Sequence, residues 1–172
     1  WSFTPATELG LDGTYTVAAS TQNAAGTPAN ATDSFVLDTT APTVPTVDAL
    51  DVTNDTTPVI TGQGDAGSTI TVTVTPENGP AFELETVVDA NGNWSVEAPE
   101  LTDGDYEVSA VATDEAGNTS APSDSQTLTV DTAAPTLSVD DLILTNDATP
   151  VITGKTDAGL TVAVVITDAN NN

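Results

Sequence analysis

The sequence predicts an all-β chain of antiparallel sandwich domains joined in tandem. Three observations predict it. Gly and Pro punctuate the chain about every 8–12 residues, the spacing of short strands and turns. Between those marks Val and Thr dominate, which suits pleated, half-buried strands, and no stretch shows a sustained 3.6-residue apolar period. Finally, the chain repeats itself at long range. TNDTTPVITG at 53–62 returns as TNDATPVITG at 145–154, nine of ten letters alike at an offset of 92 residues. LDTTAPT at 37–43 returns as VDTAAPT at 130–136, and LGLDGTYTVAASTQNAAG at 9–26 returns as LTDGDYEVSAVATDEAGN at 101–118. A period of this length is a whole small domain rather than a solenoid unit.

The elements follow in order within the complete repeat, residues 41–133. Strand A is expected near 43–50, B near 58–63, C near 68–76, D near 82–88, E near 93–98, F near 105–113 and G near 125–131. In C, Ile70, Val72 and Val74 share one face; in F, Tyr106, Val108, Ala110 and Ala112 do. Trp94 and Val96 alternate in the same way in E, and Trp94 reads as a core anchor. Seven antiparallel strands in this order make an immunoglobulin-like Greek-key sandwich. Residues 1–40 read as the C-terminal half of such a domain (strands E–G), because Trp1-Ser2-Phe3 matches Trp94-Ser95-Val96. Residues 134–172 read as the N-terminal half of another (strands A–C).

Composition narrows the function. The 172 residues carry 26 acids and one base, Lys155, for a net charge of −25. That excludes nucleic acid as an expected partner, since phosphate binding needs Lys and Arg, and it opposes docking to anionic lipid. Disorder is not expected, because 38% of the residues are hydrophobic and they alternate cleanly. With no Cys and no His, neither disulfides nor a nucleophile–His site can be built. GQGDAG is no phosphate cradle, because no helix follows it. An enzyme is not expected.

Strand direction places the acids. The N-terminal pole of the complete repeat collects Asp65, Asp89 and Asp114 with Glu115 and Asn118. The C-terminal pole collects Asn54, Asp55, Glu100, Asp103, Asp105 and Asp131. Head-to-tail stacking brings like-charged poles together, which favours a cation between them. The linker Thr39-Thr40-Ala41-Pro42 spans no more than about 14 Å at roughly 3.5 Å per residue, and Pro42 removes backbone freedom. A stiff, cation-clamped joint is expected. Calcium suits an all-oxygen ligand set, although no segment matches an EF-hand loop.

The strings VDTxAPT, TNDxTPxITG, GDAGSTITVTV, DANGNWSV and LTDGDYEVSAVATDEAGNTS resemble the bacterial Ig-like repeats of giant type 1-secreted RTX and biofilm-associated adhesins. The resemblance covers essentially the whole chain. It implies an extracellular fibre on the bacterial cell surface, neighbouring repeats head to tail, and Ca2+ at the joints. The ligands it implies are Asp12, Asp38, Asp65 and Asp114 at the first joint, and Asp103, Asp131 and Asp157 at the second. Gln22 of TQNAAG stands where the complete repeat has Asp114, so that turn is expected to be degenerate. Asp89 reads instead as a turn former, and Asp105 and Glu100 as solvated charges. Two alternatives to the fibre are a carbohydrate- or protein-binding module, favoured if Trp1, Trp94, Tyr15 or Tyr106 share an exposed surface, and a filament of the same chain in which half-domains exchange strands.

Overall fold

The computed structural model describes residues 1–167, which contain twelve strands and no helix. The chain divides into two compact units, Trp1–Asp131 and Thr132–Asn172.

The first unit opens with a hairpin, β1 (Gly13–Gln22) and β2 (Pro28–Leu37), paired antiparallel from Gly13↔Leu37 to Gln22↔Pro28. The sandwich follows. Its smaller sheet orders β3 (Thr46–Val47), β5 (Val59–Gln63) and β8 (Asn93–Glu97). Its larger sheet runs β4 (Val52–Thr53), β10 (Gln126–Val130), β9 (Gly104–Thr113), β6 (Thr69–Pro76) and β7 (Phe82–Val87). The core lies between the sheets. Ile70, Val72 and Val74 of β6 face Ile60 of β5 and Trp94 of β8, and Val108, Leu128 and Val130 complete it. The expected alternation in β6 and β9 is what the sheet shows: Ile70, Val72 and Val74 and Tyr106, Val108, Ala110 and Ala112 are buried and the residues between them are not.

One expected strand differs. Strand A is not one strand over 43–50. It starts on the smaller sheet as β3, then switches sheets, and β4 pairs parallel with β10 through Thr129↔Val52 and Val130↔Thr53. One straight strand cannot pair with both sheets, so the chain breaks between them, where Asp48 accepts a hydrogen bond from the Thr61 hydroxyl (2.6 Å). The fourth strand, β7, pairs with β6 and not with the smaller sheet. The short loop through Gly79 and Pro80 makes these two strands a hairpin, and hairpin strands are neighbours in one sheet. The sandwich therefore has eight strands, three against five.

Before β10 the chain runs alongside β9 without forming a regular ladder, since Pro122 has no N–H to give. Serine hydroxyls substitute as acceptors: Ala112 N–H donates to Ser120 Oγ and Ala110 N–H to Ser123 Oγ, each at 3.0 Å. Tyr106, at the start of β9, donates its hydroxyl to the Thr102 carbonyl four residues upstream (2.8 Å). Tyr15 does the same to Leu11 in the hairpin (2.6 Å). This is the tyrosine corner of immunoglobulin-like sandwiches, present in both copies of the motif.

The last residue of the repeated TPVITG phrase has a packing reason. A Cβ on Gly62 would overlap the Thr46 carbonyl oxygen and stand 2.5 Å from Trp94 Cζ2. Only glycine lets β3 and the indole approach β5 this closely. Gly62→Ala is therefore expected to destabilise the domain by about 1–3 kcal/mol, the usual cost of overpacking, read as a lower urea midpoint at unchanged slope. In the second unit, Gly154 meets the Ser138 carbonyl in the same way.

The partial repeats form only what their own residues can pair. No strand forms in residues 1–12, where strand E was expected. In the complete repeat β8 pairs with β5, and the first partial repeat offers no such strand within this chain. The second unit pairs β11 (Leu137–Val139) with β12 (Gly154–Thr156), the equivalents of A and B. No strand forms over 157–167, where C was expected, and the residues after 167 lie outside the described part.

Candidate functional site

The linker Asp38–Thr43 between hairpin and sandwich is held from both sides by carboxylates. Asp12, in the turn that enters β1, accepts from Thr39 N–H (2.9 Å) and the Thr39 hydroxyl (2.7 Å) on Oδ1. Its Oδ2 accepts from the Thr40 hydroxyl (2.6 Å). Asp38 accepts from Thr40 N–H (3.0 Å), an Asx turn. On the sandwich side Asp65, in the β5–β6 turn, takes Thr43 N–H on Oδ2 (2.7 Å) and the Thr43 hydroxyl on Oδ1 (2.8 Å).

A third contact joins the two bodies directly. Asp114 opens the β9–β10 loop and accepts from Asn118 N–H (2.8 Å) and Asn118 Nδ2 (2.9 Å). So oriented, Asn118 Nδ2 also donates to the Asp38 carbonyl (3.1 Å), a bond across 80 residues of sequence. Asp12, Asp38, Asp65 and Asp114 thus all lie along one joint. Of their partners, Asn118 was placed at this pole by the sequence reading, whereas Thr39, Thr40 and Thr43 were not recognised as partners. The signal was present: Thr43 and Asp65 return together as Thr136 and Asp157, and Asp157 again accepts the Thr136 N–H (2.9 Å) and hydroxyl (2.6 Å).

The turn judged degenerate is not. The equivalent of Asp114 is Asn23, not Gln22. Asn23 Oδ1 accepts from Ala25 N–H (3.0 Å) and Thr27 N–H (2.9 Å), and Gly26 N–H bonds to the Asn23 carbonyl (2.9 Å), as Gly117 does to Asp114 (3.2 Å). The amide of Asn23 builds the same turn without the charge. Asp89 is the turn former expected: its Oδ1 takes Asn91 N–H (2.8 Å) and Asn93 N–H (2.9 Å). Asp105 is no freely solvated charge, since the Thr129 hydroxyl donates to it (2.6 Å). Asp131 continues β10, with its N–H on the Thr53 carbonyl (2.9 Å). Asp103 and Asp131 belong to the first unit and Asp157 to the second.

These bonds stabilise the ionised carboxylates. Asp12 is held below the usual Asp range by the Thr40 hydroxyl first and the Thr39 hydroxyl next. Asp65 is lowered chiefly by the Thr43 N–H, then by its hydroxyl. Asp114 is lowered chiefly by the Asn118 side chain. A carboxyl whose folded pKa is depressed contributes stability above its unfolded value, about 3.9 for Asp, and loses it as pH falls through the lower folded value. The joint is therefore expected to keep its geometry at pH 5 and to loosen only below about pH 3.9. Interdomain NMR couplings recorded across an acid titration check this; loosening at neutral pH would contradict it.

The donor chemistry suits calcium, since carboxylates and a backbone carbonyl are all oxygen. Among the described residues no group of three or more acidic side chains is placed to hold a metal. At this joint the oxygens of Asp12, Asp65 and Asp114 already receive N–H and O–H donors.

The family comparison agrees with the sandwich. The family model described as "Bacterial Ig-like domain" matches residues 46–132. No curated protein matches this chain. Among solved structures, a tetra-tandem repeat in the extending region of a large adhesion protein is 26% identical, with a TM-score of 0.47, over 86% of this chain and 45% of that one. The BSP domain of a biofilm-associated protein is 27% identical, with a TM-score of 0.39, over 73% of this chain and 20% of that one. The FN1–FN3 domains of chicken CNTN1 are 14% identical, with a TM-score of 0.45, over 71% of this chain and 44% of that one. The chain thus spans less than half the length of each. With its matched residues covering half of its length, the chain belongs to the bacterial Ig-like domain family.

Proposed function

We propose that this chain is a spacer segment of a repetitive surface adhesin. Its Ig-like repeats run head to tail outside the bacterial cell and hold a distal binding domain away from the surface, serving adhesion and biofilm formation. One observation carries the reading: the linker between repeats is bound on both sides, and Asn118 bridges from the sandwich to Asp38, the first residue of the linker after the hairpin. A flexible tether has no use for such bonds, whereas an extender does, because reach grows with stiffness. The binding-module alternative loses its main support, since Trp94 and Tyr106 are buried and Trp1 stands apart in a segment with no strand.

Calcium at the same joint is a second reading, favoured by the net charge of −25 and the oxygen-only donors. It requires Asp12, Asp38, Asp65 and Asp114 to exchange Thr and Asn donors for a shared ion. Small-angle scattering of the chain with calcium and with chelator tests both. A maximum dimension that is long and unchanged supports the hydrogen-bonded joint alone. Shortening on chelation supports calcium. A collapsed or broad ensemble in both conditions overturns the spacer.

A further inference from the structure

Asparagine followed by glycine occurs twice, as Asn78-Gly79 and as Asn91-Gly92. In such a pair the glycine nitrogen can reach the asparagine side-chain carbonyl carbon, because no Cβ shields it and the backbone turns freely. Both pairs lie in connections between strands of the sandwich, Asn78 between β6 and β7 and Asn91 between β7 and β8. The structure treats them in opposite ways.

The second pair is held. Asp89 Oδ1 accepts the Asn91 N–H (2.8 Å) and the Asn93 N–H (2.9 Å). The Gly92 N–H, which carries the attacking atom, donates to the Asp89 carbonyl (3.0 Å). The Gly92 carbonyl accepts from the Gly64 N–H (3.0 Å), which ties this turn to the residue after β5. Gly92 itself has a φ of 84°, in the left-handed region. Bringing its nitrogen onto Asn91 Cγ requires that the bond to Asp89 break first.

The first pair is free. Asn78 and Gly79 are both exposed. Among the described residues neither the Asn78 side chain nor the Gly79 N–H has a hydrogen-bond partner. The connection is tied down just before them, where the Glu77 N–H donates to the Asp105 carbonyl (3.0 Å). Just after them stands Pro80, which has no N–H to give. No hydrogen bond therefore opposes the rotation that brings Asn78 Cγ and the Gly79 nitrogen into reacting distance.

We propose that Asn78 is a site of spontaneous deamidation and isoaspartate formation, and that the Asp89 turn protects Asn91 from the same reaction. The Gly79 nitrogen loses its proton to solvent hydroxide and bonds to Asn78 Cγ. The bond from Cγ to the side-chain nitrogen then breaks, and that nitrogen takes a proton from water and leaves as ammonia. The product is a five-membered succinimide, and water opens it at either of its two carbonyls. Breaking the new bond between Cγ and the Gly79 nitrogen leaves an ordinary aspartate. Breaking the original peptide bond leaves isoaspartate, with the main chain routed through Cβ and Cγ. Either product adds a carboxylate next to Glu77, and isoaspartate also lengthens the β6–β7 connection.

The test is to age the full chain at neutral pH, digest it with pepsin in acid, where the reaction halts, and read each site by peptide mass. Enzymatic methylation of the new carboxyl separates isoaspartate from aspartate. Asn78 is expected to convert about tenfold faster than Asn91, the factor that one retained hydrogen bond can supply. In denaturing urea, where no turn protects either pair, the two rates are expected to converge. Asp89→Ala removes the side-chain acceptor and is expected to raise the rate at Asn91 severalfold while leaving Asn78 unchanged; circular dichroism identifies a variant that has kept its fold. The proposal is overturned if Asn78 keeps its amide, if Asn91 converts as fast as Asn78 in the folded chain, if the difference persists in urea, or if a folded Asp89→Ala variant converts at Asn91 as slowly as the parent. The urea comparison decides the matter without any variant.

Discussion

Replacing Trp94 by alanine is expected to cost the complete domain about 3–5 kcal/mol, the range for removing a large buried aromatic. The indole is 3% exposed and sits between the sheets on β8. Its Nε1–H donates to the Gln63 carbonyl at 3.2 Å, so truncation opens a cavity and also strands an acceptor on β5. Domains of this size hold about 5–15 kcal/mol in all, so the variant loses from about a fifth of its stability to nearly all of it. Trp1→Ala is the control. Trp1 is 96% exposed, and its loss is expected to fall within about 0.5 kcal/mol. Urea unfolding followed by circular dichroism separates the two; equal midpoints for both variants would refute the core role of Trp94.

Asp12→Ala is expected to act on orientation and leave the sandwich as stable as before. Asp12 lies outside the core cluster, yet it accepts the Thr39 N–H, the Thr39 hydroxyl and the Thr40 hydroxyl at once. Removing it releases the Thr39 N–H and both threonine hydroxyls, leaving the Thr40 N–H on Asp38. Pro42 and the Asp65–Thr43 pair still fix the far end, so the motion should concentrate at Thr39 and Thr40. Residual dipolar couplings should fit one alignment tensor for hairpin and sandwich in the parent chain and require two in Asp12→Ala. A single tensor in the variant would show that Asp12 does not set the geometry.

Much of this was legible in the sequence because two periodicities point the same way. The two-residue alternation of Ile70, Val72 and Val74 and of Tyr106, Val108, Ala110 and Ala112 defined the core faces, and the 92-residue repeat located the joint. The breaks in strand A and the sheet membership of β7 were not legible. Local pattern says that a segment is extended, whereas the choice of partner depends on loop length and on which edge is free. At the joint, strand direction placed Asp65, Asp114 and Asn118, and the family resemblance added Asp12 and Asp38, but the threonine partners were not found. Thr39 and Thr40 read only as linker residues and Thr43 as the start of a strand until geometry placed their hydroxyls on carboxylates. The Asn23–Gln22 slip has a similar origin: in a turn one residue more or less is invisible to composition, and only the glycine at 26, equivalent to Gly117, sets the alignment. The same Asp–Thr pairing recurs within the repeats, as Asp48–Thr61 and Asp140–Thr153 (2.6 and 2.7 Å) and as Asp55–Thr57 and Asp147–Thr149. An acidic chain with one base can thus satisfy its carboxylates with hydroxyl and amide donors.

The central claim is that hydroxyl and amide donors fix the linker and so make the joint stiff. Spin labels at Ser20→Cys on the hairpin and Glu97→Cys on the sandwich, both exposed positions, measure it by pulsed electron paramagnetic resonance. With the linker intact the distance distribution should be a single narrow peak. In the Thr39→Val/Thr40→Val variant, which keeps side-chain shape and removes both hydroxyls, it should broaden severalfold. A broad distribution in the intact chain, or an unchanged one in the valine variant, would contradict the claim.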